Sequence, residues 1–424
     1  MRQSDLFHGE HLPPRLHYQA LFEFLPRMGD EQVFGRPHIN RNTMLRAFVY
    51  RCLRRLATLS DLNYSLRENP SLAEAIGLDP FAAAPSIERF SCWLRDTSNE
   101  TLQTVRRALI RGLVESGVVR GTTVSFDSTP VVARVKQNNL KTTLADRFNK
   151  KRYPQADPQA RLGAYRVYPG SGTQKVRFFW GYRNHTAVDF DTELPLWEET
   201  HPANRHEIHS AIPLLQACQQ HLRLPIEVVC GDSAYDAERV LAFIIHELHA
   251  RPIIAANARY QPNPEFHVQG KLVLCPANLE MIRKGRMTPK KTGITYQQYC
   301  CPLHYRQAIR QQYLLCPANH PKLLSQKGCN YLVRETTSLR SQIPYGSAEF
   351  ANNYRQRTSV ERTFARLLSV AMQQPTVHGL QATRNHCTIA HITVLLVATA
   401  AHATGHPDQV AFVRTFVPNF MTDT

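Results

Sequence analysis

Three acidic residues lie in sequence settings that favour metal chemistry. Asp127 and Asp232 end the short, β-branched runs 124–126 and 226–230, which predict buried strands. Glu361 lies in a polar, helix-forming stretch late in the chain. Such carboxylates are hard oxygen ligands that suit Mg²⁺ or Mn²⁺, and two ions held together can drive cleavage or transfer of a phosphodiester.

Each aspartate also has a purely structural interpretation. An aspartate at the end of a strand is more often a turn or cap residue than a ligand, because its side chain readily bonds nearby backbone. Two such aspartates, followed by a helical glutamate, favour the metal interpretation. Asp232 follows Asp127 by 105 residues and precedes Glu361 by 129 residues, so the three acids can meet only through the tertiary fold.

Length and composition place the chain among globular proteins of two or three domains. It has 424 residues, of which 43% are hydrophobic, so it can build substantial cores. The polar start lacks a signal-peptide pattern, and ten cysteines without such a pattern argue against a disulfide framework. The longest apolar run, 389–401, is too short to span a bilayer and predicts a buried helix. We therefore expect a cytoplasmic protein without a membrane partner.

The positive charge is concentrated in two stretches. The formal net charge is +17, and residues 134–183 hold 12 Lys and Arg against 2 Asp and Glu. Residues 258–345 hold 13 against 3. A solvated basic surface would explain one such stretch, whereas two indicate contact with a polyanion such as nucleic acid. The chain has no GxxxxGKS phosphate loop, so no nucleotide cofactor is expected.

The order of predicted elements indicates a mixed sheet with helices packed on it. Residues 1–120 read as short helices that fit either a helix-turn-helix-like module or a dimerisation bundle. Residues 134–175 read as a loop. The rest of 121–257 predicts the order β, β, β, α, β, α, β, and helices resume at 348–370 and 385–402. The Pro-rich segment 258–345 interrupts this pattern and reads as an insertion.

The predicted helix 348–370 carries a face of mixed character. Six residues of this helix are spaced three or four apart, which places them on one side of it. They are Phe350, Tyr354, Arg357, Glu361, Phe364 and Leu368. Arg357 and Glu361 form either a surface ion pair worth about 0.3–0.5 kcal/mol or part of a site that holds metal and phosphate.

The insertion contains cysteine and histidine at short spacing. Its cysteines are Cys275, Cys300, Cys301, Cys316 and Cys329. Zinc is one interpretation, but no CxxC pair is present, so free or buried cysteines remain the alternative for 275–329.

Together these segments resemble the DDE transposases of bacterial insertion sequences, which have an RNase H-like catalytic domain. Segments 125–129 and 231–236 are similar to the family's two aspartate motifs, and 181–189 resembles the strand between them. Segment 202–204 precedes a helix as in the family. The spacing Tyr354-x2-Arg357-x3-Glu361 resembles the family's tyrosine–arginine–glutamate signature.

The resemblance implies a domain organisation. We expect a helical N-terminal domain for DNA binding or dimerisation (1–120) and the first part of an RNase H-like α/β catalytic domain (121–257). A basic, cysteine-containing insertion domain follows (258–345), and C-terminal helices complete the catalytic domain (346–424).

The resemblance also implies a catalytic site with two Mg²⁺ or Mn²⁺ ions. Asp127 would bridge both ions, while Asp232 and Glu361 would each hold one. Double-stranded DNA, both element ends and target, would be the substrate, bound by a homodimer in the synaptic complex. The resemblance implies no ATP and no covalent protein–DNA intermediate.

The residues expected to contact DNA come from the signature helix and the basic stretches. Tyr354 and Arg357 would bind phosphate. The family's helix often has a lysine seven residues after the glutamate, where this chain has Leu368. Arg362 and Arg366 are the candidates to replace it. The remaining candidates are Lys150, Lys151, Arg183, Lys290 and Lys291.

Two further functions stay open at this stage. One is a DNA-binding transposase relative without catalysis, which the presence of all three acids disfavours. The other is a nuclease of the same fold that cuts DNA without joining it. A tyrosine recombinase is disfavoured, because no arginine–histidine–tyrosine set stands out.

Overall fold

The structure, a computed structural model, divides into two compact units. One contains Met1–Ile254 and Gly346–Thr424, and the other contains Ala255–Tyr345. The described residues are 14–29, 39–143, 147–149, 153–167, 175–257, 266–270, 272–290, 294–313, 315–320, 328–335, 337–355, 357–373 and 375–413. The N-terminal helices share their unit with the main sheet, so the division at residue 120 stays a prediction about function.

The N-terminal region is helical because caps and apolar spacing agree there. In the capping box of the third helix, the backbone N–H of Thr58 donates to Asp61 Oδ2 at 2.8 Å, and the N–H of Asp61 donates to Thr58 Oγ1 at 3.0 Å. Gly77, at φ 95°, ends the fourth helix in the left-handed conformation that glycine tolerates. The helices are α1 (Pro14–Glu23), α2 (Arg41–Leu53), α3 (Leu59–Glu68), α4 (Pro70–Ile76), α5 (Ile87–Asp96) and α6 (Asn99–Glu115).

A six-stranded mixed sheet forms the centre of the larger unit in the described part of the chain. Its order is β2-β3-β1-β5-β6, and β4 also pairs with β3. β1 is antiparallel to β3 and parallel to β5, which is in turn parallel to β6. The strands are β1 (Thr123–Val132), β2 (Arg161–Val167), β3 (Lys175–Asp189), β4 (Pro195–Pro202), β5 (Val228–Gly231) and β6 (Arg251–Ile254). The expected mixed α/β architecture is therefore confirmed.

Helices pack on this sheet. They are α7 (Ile208–Leu222), α8 (Glu238–Ala242), α11 (Ala348–Arg355), α12 (Thr358–Ser369) and α13 (Leu380–Ala403). Helix α13 has 24 residues, longer than expected, and its length and composition would allow it to cross a membrane. However, 83% of its apolar window is buried inside the protein, where it packs on α6, α5, β4 and α2. It is the core helix of the larger unit.

The smaller unit has its own small sheets and core. In its described residues, β10 (Tyr296–Cys300) lies between β9 (Ile282–Met287) and β11 (Asn330–Arg334), and β7 (His267–Gln269) pairs with β8 (Leu272–Leu274). Two short helices, α9 (Pro302–Tyr305) and α10 (Gln307–Gln312), follow β10.

Three secondary-structure predictions were wrong. The helix expected at 348–370 is two helices, α11 and α12, with Arg357 at their junction. The loop expected at 134–175 contains β2, which forms because it pairs along the extended first half of β3. Its Gly163 and its two arginines give β2 little strand character in the sequence alone. The strand expected to end at Asp127 continues to Val132, so Asp127 lies within β1. The helix expected at 237–248 is confirmed, and it becomes π-helical at Phe243–Glu247.

A buried carboxylate ties the N-terminal helices and α13 to the sheet. Glu198 on β4 is 2% exposed and accepts hydrogen bonds from Gln103 on α6, Thr388 on α13 and Asn184 on β3. The fully buried Arg106 donates to the Leu196 carbonyl at 2.7 Å, and burial lowers its pKa to about 10. This network fixes the depth at which α6 and α13 pack on the sheet.

Glu198→Ala should destabilise the larger unit. Thr388 would lose its acceptor, while Gln103 and Asn184 would each lose one of two acceptors. Each lost buried hydrogen bond costs about 1–3 kcal/mol, so we expect a loss of roughly 3 kcal/mol of unfolding free energy. Urea unfolding followed by tryptophan fluorescence measures it. The neighbouring Glu199→Ala is the matched control, because Glu199 is 29% exposed and its partner is His201; its loss should stay under about 1 kcal/mol. Equal midpoints for Glu198→Ala and wild type would refute the structural role of the network.

Candidate active site

Strand register brings the two aspartates to one place on the sheet. β1 and β5 pair in parallel with Ser125 opposite Cys230, which is an offset of 105 residues. Asp127 and Asp232 have the same offset and stand two residues further along, at the same level. Because side chains alternate along a strand, both carboxylates lie on the face that carries Ser125 and Cys230.

Local backbone donors orient each carboxylate. The N–H of Ser128 donates to Asp127 Oδ1 at 2.7 Å. The N–H of Ala234 donates to Asp232 Oδ1 at 2.8 Å, so Asp232 caps the short 3-10 turn Ser233–Tyr235. Each aspartate therefore has one oxygen bound to its own backbone and a second oxygen available to other partners.

The same face of the sheet is covered by α11 and α12. Phe350 and Tyr354 stack with ring centroids 5.6 Å apart and pack on the cluster formed by Val228, Cys230 and Ile253. On α12, the buried Ser359 donates from its Oγ to Ser125 Oγ at 3.4 Å. These contacts hold the junction between the two helices beside the aspartates.

Arg357, at that junction, links the sheet carboxylate to the helix carboxylate. Its Nη1 lies 3.5 Å from Asp127 Oδ2, and its Nη2 donates to Glu361 Oε1 at 2.9 Å. The guanidinium also lies 5.7 Å from the centroid of the Tyr354 ring. Glu361 is in the first turn of α12, with a side chain 56% exposed. Asp127, Glu361 and Tyr354 thus surround the Arg357 guanidinium, and the charge of Asp232 also acts on it.

A further carboxylate, which the sequence analysis did not assign, joins this group. Glu207 lies at the N-terminal end of α7 and accepts a hydrogen bond from Ser128 Oγ at 2.7 Å. Arg183 forms an ion pair with Glu207 and donates to Ser128 Oγ at 2.9 Å. The only sequence signal was the position of Glu207 just after segment 202–204.

Burial and neighbouring negative charge raise the pKa of both aspartates. Burial raises the pKa of Asp127 to about 8, and the neighbouring charges of Asp232 and Glu207 act in the same direction. Burial also raises the pKa of Asp232, again with help from Glu207. The charge of Arg357 opposes both shifts. The site therefore holds more negative charge than its own arginines neutralise, and a cation would be stabilised there.

This donor set fits hard divalent cations in its chemistry, because every acid offers carboxylate oxygens. As the side chains stand, no three His, Cys, Asp or Glu residues in the described part of the chain are arranged to hold a metal ion. Arg357 lies between Asp127 and Glu361, so shared ligation by these two acids requires its guanidinium to move.

Comparison with known proteins identifies the family. A family model described as a transposase DDE domain matches residues 121–397. The chain belongs to the DDE transposase family. No curated protein matches it. Among solved structures, a piggyBac transposase in a synaptic complex with hairpin DNA aligns at 10% identity with a TM-score of 0.36. That alignment covers 96% of this chain and 80% of the other. The assignment rests on the domain match.

In this DDE transposase, several predicted DNA-binding arginines already have protein partners. Arg183 is 9% exposed, and its guanidinium also donates to the Ala164 carbonyl. Arg362 and Arg366 both form ion pairs with Glu193, which lies in the turn between β3 and β4. Leu368, in place of the family's usual lysine, is 49% exposed.

The predicted lysines give less structural information. Lys290 is exposed in the smaller unit. Lys150, Lys151 and Lys291 lie outside the described residues. Their contact with DNA stays a prediction.

Asp127→Asn should stabilise the metal-free protein, and the gain should grow with pH. In the folded protein burial raises the pKa of Asp127 to about 8, whereas an aspartate in the unfolded chain has a pKa of about 4. As pH rises between these values, the unfolded chain loses a proton that the folded state keeps, so wild-type stability falls. Asparagine does not titrate, so the variant does not lose stability in this way as pH rises. We expect the melting temperature to exceed wild type by about 2 °C or more near pH 8.5, and by less near pH 5.

Calorimetry in chelator-treated buffer measures this difference. Asp96→Asn is the control, because Asp96 is an exposed carboxylate of the same unit, 61% accessible and paired with Arg95; its effect should stay small at both pH values. A lower melting temperature for Asp127→Asn than for wild type at high pH would contradict this prediction. It would show that Arg357 and the Ser128 N–H stabilise the charged Asp127 more than burial and the neighbouring acids destabilise it.

Proposed function

We propose that this transposase binds the ends of an insertion sequence and catalyses metal-dependent DNA cleavage and strand transfer at Asp127, Asp232 and Glu361. The observation that carries the proposal is the parallel register of β1 and β5. It sets two carboxylates at one level beneath the helix junction that presents Arg357 and Glu361. The crowding of these acids supports a site built for cations.

Sheet order supports an RNase H-like fold for the catalytic part. Three antiparallel strands, β4, β3 and β1, continue into the parallel pair β5 and β6. Asp127 lies on the central strand β1, and Asp232 directly follows its parallel neighbour β5. We assign residues 121–254 and 346–424 to this catalytic fold, and residues 255–345 to an insertion within it.

Asp127, Asp232 and Glu361 would hold two Mg²⁺ or Mn²⁺ ions, with Asp127 shared between them. When bound, such ions lower the pKa of an attacking water and stabilise the leaving 3′ oxygen. Glu207 would keep Ser128 and Arg183 in place beside Asp127, because it binds both. Its carboxylate also adds negative charge to the site.

Arg357 would exchange partners when DNA and metal enter. In the structure its two guanidinium nitrogens face Asp127 and Glu361. Arg357 would no longer be needed to neutralise these acids once they held a cation. The freed guanidinium can then fork to two oxygens of a DNA phosphate, since its planar donors match that geometry. Tyr354, half-buried beside it, would support this position and contact the same phosphate.

Double-stranded DNA is the proposed partner, both as element end and as target. The net charge of +17 and the two basic stretches favour a polyanion. Lys150, Lys151, Lys290 and Lys291 are the proposed phosphate contacts of those stretches. A homodimer would pair two ends, and the helical region 1–120 would bind DNA or dimerise. We propose a cytoplasmic, nucleoid-associated bacterial protein, because that compartment holds the substrate.

The second candidate is a nuclease of the same fold that cuts without joining. The site chemistry is identical for both reactions, because a 3′-OH can replace water as the nucleophile in the same geometry. A catalytically inactive relative is disfavoured by the presence of all three acids.

Asp127→Asn, Asp232→Asn and Glu361→Gln should each abolish Mg²⁺-dependent cleavage. Loss of a ligand removes several kcal/mol of charge stabilisation, which corresponds to about 10³-fold or more in rate. A labelled duplex carrying the element's own end measures cleavage, and electrophoretic mobility shift checks that DNA binding persists. The control is Glu349→Gln, an exposed carboxylate on α11 paired with Arg251. Near-wild-type cleavage by any one of the three variants would remove that residue from the site.

Arg357→Lys should lose about 10- to 100-fold in joining despite keeping its charge, because an ammonium cannot fork to two oxygens. Tyr354→Phe should be milder, under about tenfold, because the ring still packs and only a hydroxyl is lost. Cleavage and joining rates on the same end duplex, with intact and pre-cleaved ends, separate the steps. If Arg357→Lys matches wild type in both steps, Arg357 is only an ion-pair partner of Glu361.

A further inference from the structure

Two turns in the smaller unit have the same sequence and the same geometry. Both segments, 275–278 and 316–319, read Cys-Pro-Ala-Asn. In each, the asparagine N–H donates to the cysteine carbonyl at 2.8 Å. Asn278 and Asn319 both adopt the left-handed conformation, at φ 56° and 48°. Each turn begins with a buried cysteine, 4% exposed at Cys275 and 7% at Cys316.

A third Cys-Pro turn lies against the segment that carries the fourth cysteine. His304 N–H donates to the Cys301 carbonyl at 3.2 Å, and proline again follows the cysteine. Gly328, at φ 61°, approaches this turn so closely that an added Cβ would lie 2.6 Å from Cys301 Cβ and 2.7 Å from His304 Cδ2. Only glycine fits there, and Cys329 follows it directly.

The four cysteines share one core. Cys275, Cys301, Cys316 and Cys329 all belong to the buried cluster of the smaller unit, and all four are free thiols. The Cys329 side chain has a hydrogen bond with the Cys301 side chain, and Cys275 lies near it. The four thiols come from four separate chain segments.

We propose that Cys275, Cys301, Cys316 and Cys329 form a structural Zn²⁺ site that holds the smaller unit together. Four thiolates are a complete ligand set for tetrahedral zinc, and structural sites of this kind leave no open position. The metal would join the three Cys-Pro turns to the strand β11 that follows Cys329. The role is independent of DNA cleavage.

Two features of this core support a metal. Among the described residues the cluster has nine buried members, and four of them are cysteines. Units with small cores are often stabilised by metals. In addition, the Nε2 atom of His304 is buried without a hydrogen-bond partner. Such an atom costs about 1–3 kcal/mol. A thiolate of the proposed site would give it an acceptor.

Zinc binding requires a local rearrangement. As they stand, no three described His, Cys, Asp or Glu side chains have a ligating arrangement. The thiols would leave their packed positions and converge to about 2.3 Å from one ion. Gly328 already brings the backbone that precedes Cys329 against the Cys301 turn, and Cys275 and Cys316 belong to the same buried cluster.

Zinc content of the purified full-length chain tests the proposal. After expression with added zinc and dialysis without chelator, atomic emission should find one zinc per chain. Cys301→Ser and Cys329→Ser should lose most of it. Cys300→Ser is the matched control, because Cys300 is equally buried and adjacent but donates from its Sγ to Asn330 Oδ1 at 3.1 Å and lies outside the cluster. Wild type without zinc, or full zinc in Cys301→Ser, would overturn the proposal.

A second measurement does not depend on the folding of variants. Cobalt added to chelator-stripped wild-type protein should give the thiolate-to-cobalt charge-transfer band of a tetrahedral site, and zinc should abolish it. Absence of that band would contradict the site. Mass spectrometry of alkylated, unreduced protein would equally overturn it by finding Cys301 and Cys329 linked as a disulfide.

Discussion

The parallel register between β1 and β5 is the constraint on which the proposed active site depends. It fixes Asp127 and Asp232 at the same level of adjacent strands, on a face that α11 and α12 cover. Burial raises the pKa of both acids, and the neighbouring negative charge of Glu207 acts in the same direction. The positive charge of Arg357 offsets part of the negative charge of these acids. The remaining negative charge favours the binding of divalent cations.

The sequence predicted the sheet residues of the site better than the helical ones. β-branched runs ending in aspartate identify strands because burial and strand propensity act together there. The break at Arg357 was missed, because Phe350, Tyr354 and Glu361 keep helical spacing across it. Glu207 was missed because only tertiary packing brings the start of α7 to Ser128. β2 was missed because its pairing with β3, rather than its composition, makes it a strand.

The rest of the larger unit holds this register in place. Glu198 joins β4 to α6 and α13 through buried hydrogen bonds, so the N-terminal helices pack on the strands next to the site. In the described part of the smaller unit, the buried cluster includes four cysteines, three of which begin Cys-Pro turns. The chain thus combines a catalytic core fixed by strand pairing and buried polar contacts with an inserted unit for which we propose stabilisation by zinc.

The most direct test of the central claim is a crystal structure of the transposase with Mn²⁺ and a cleaved end duplex, with manganese located by anomalous scattering. The account predicts two peaks about 4 Å apart, both in contact with Asp127, one also with Asp232 and the other with Glu361. Arg357 should have moved to a DNA phosphate. Manganese bound elsewhere, with Arg357 still between Asp127 and Glu361, would contradict the account.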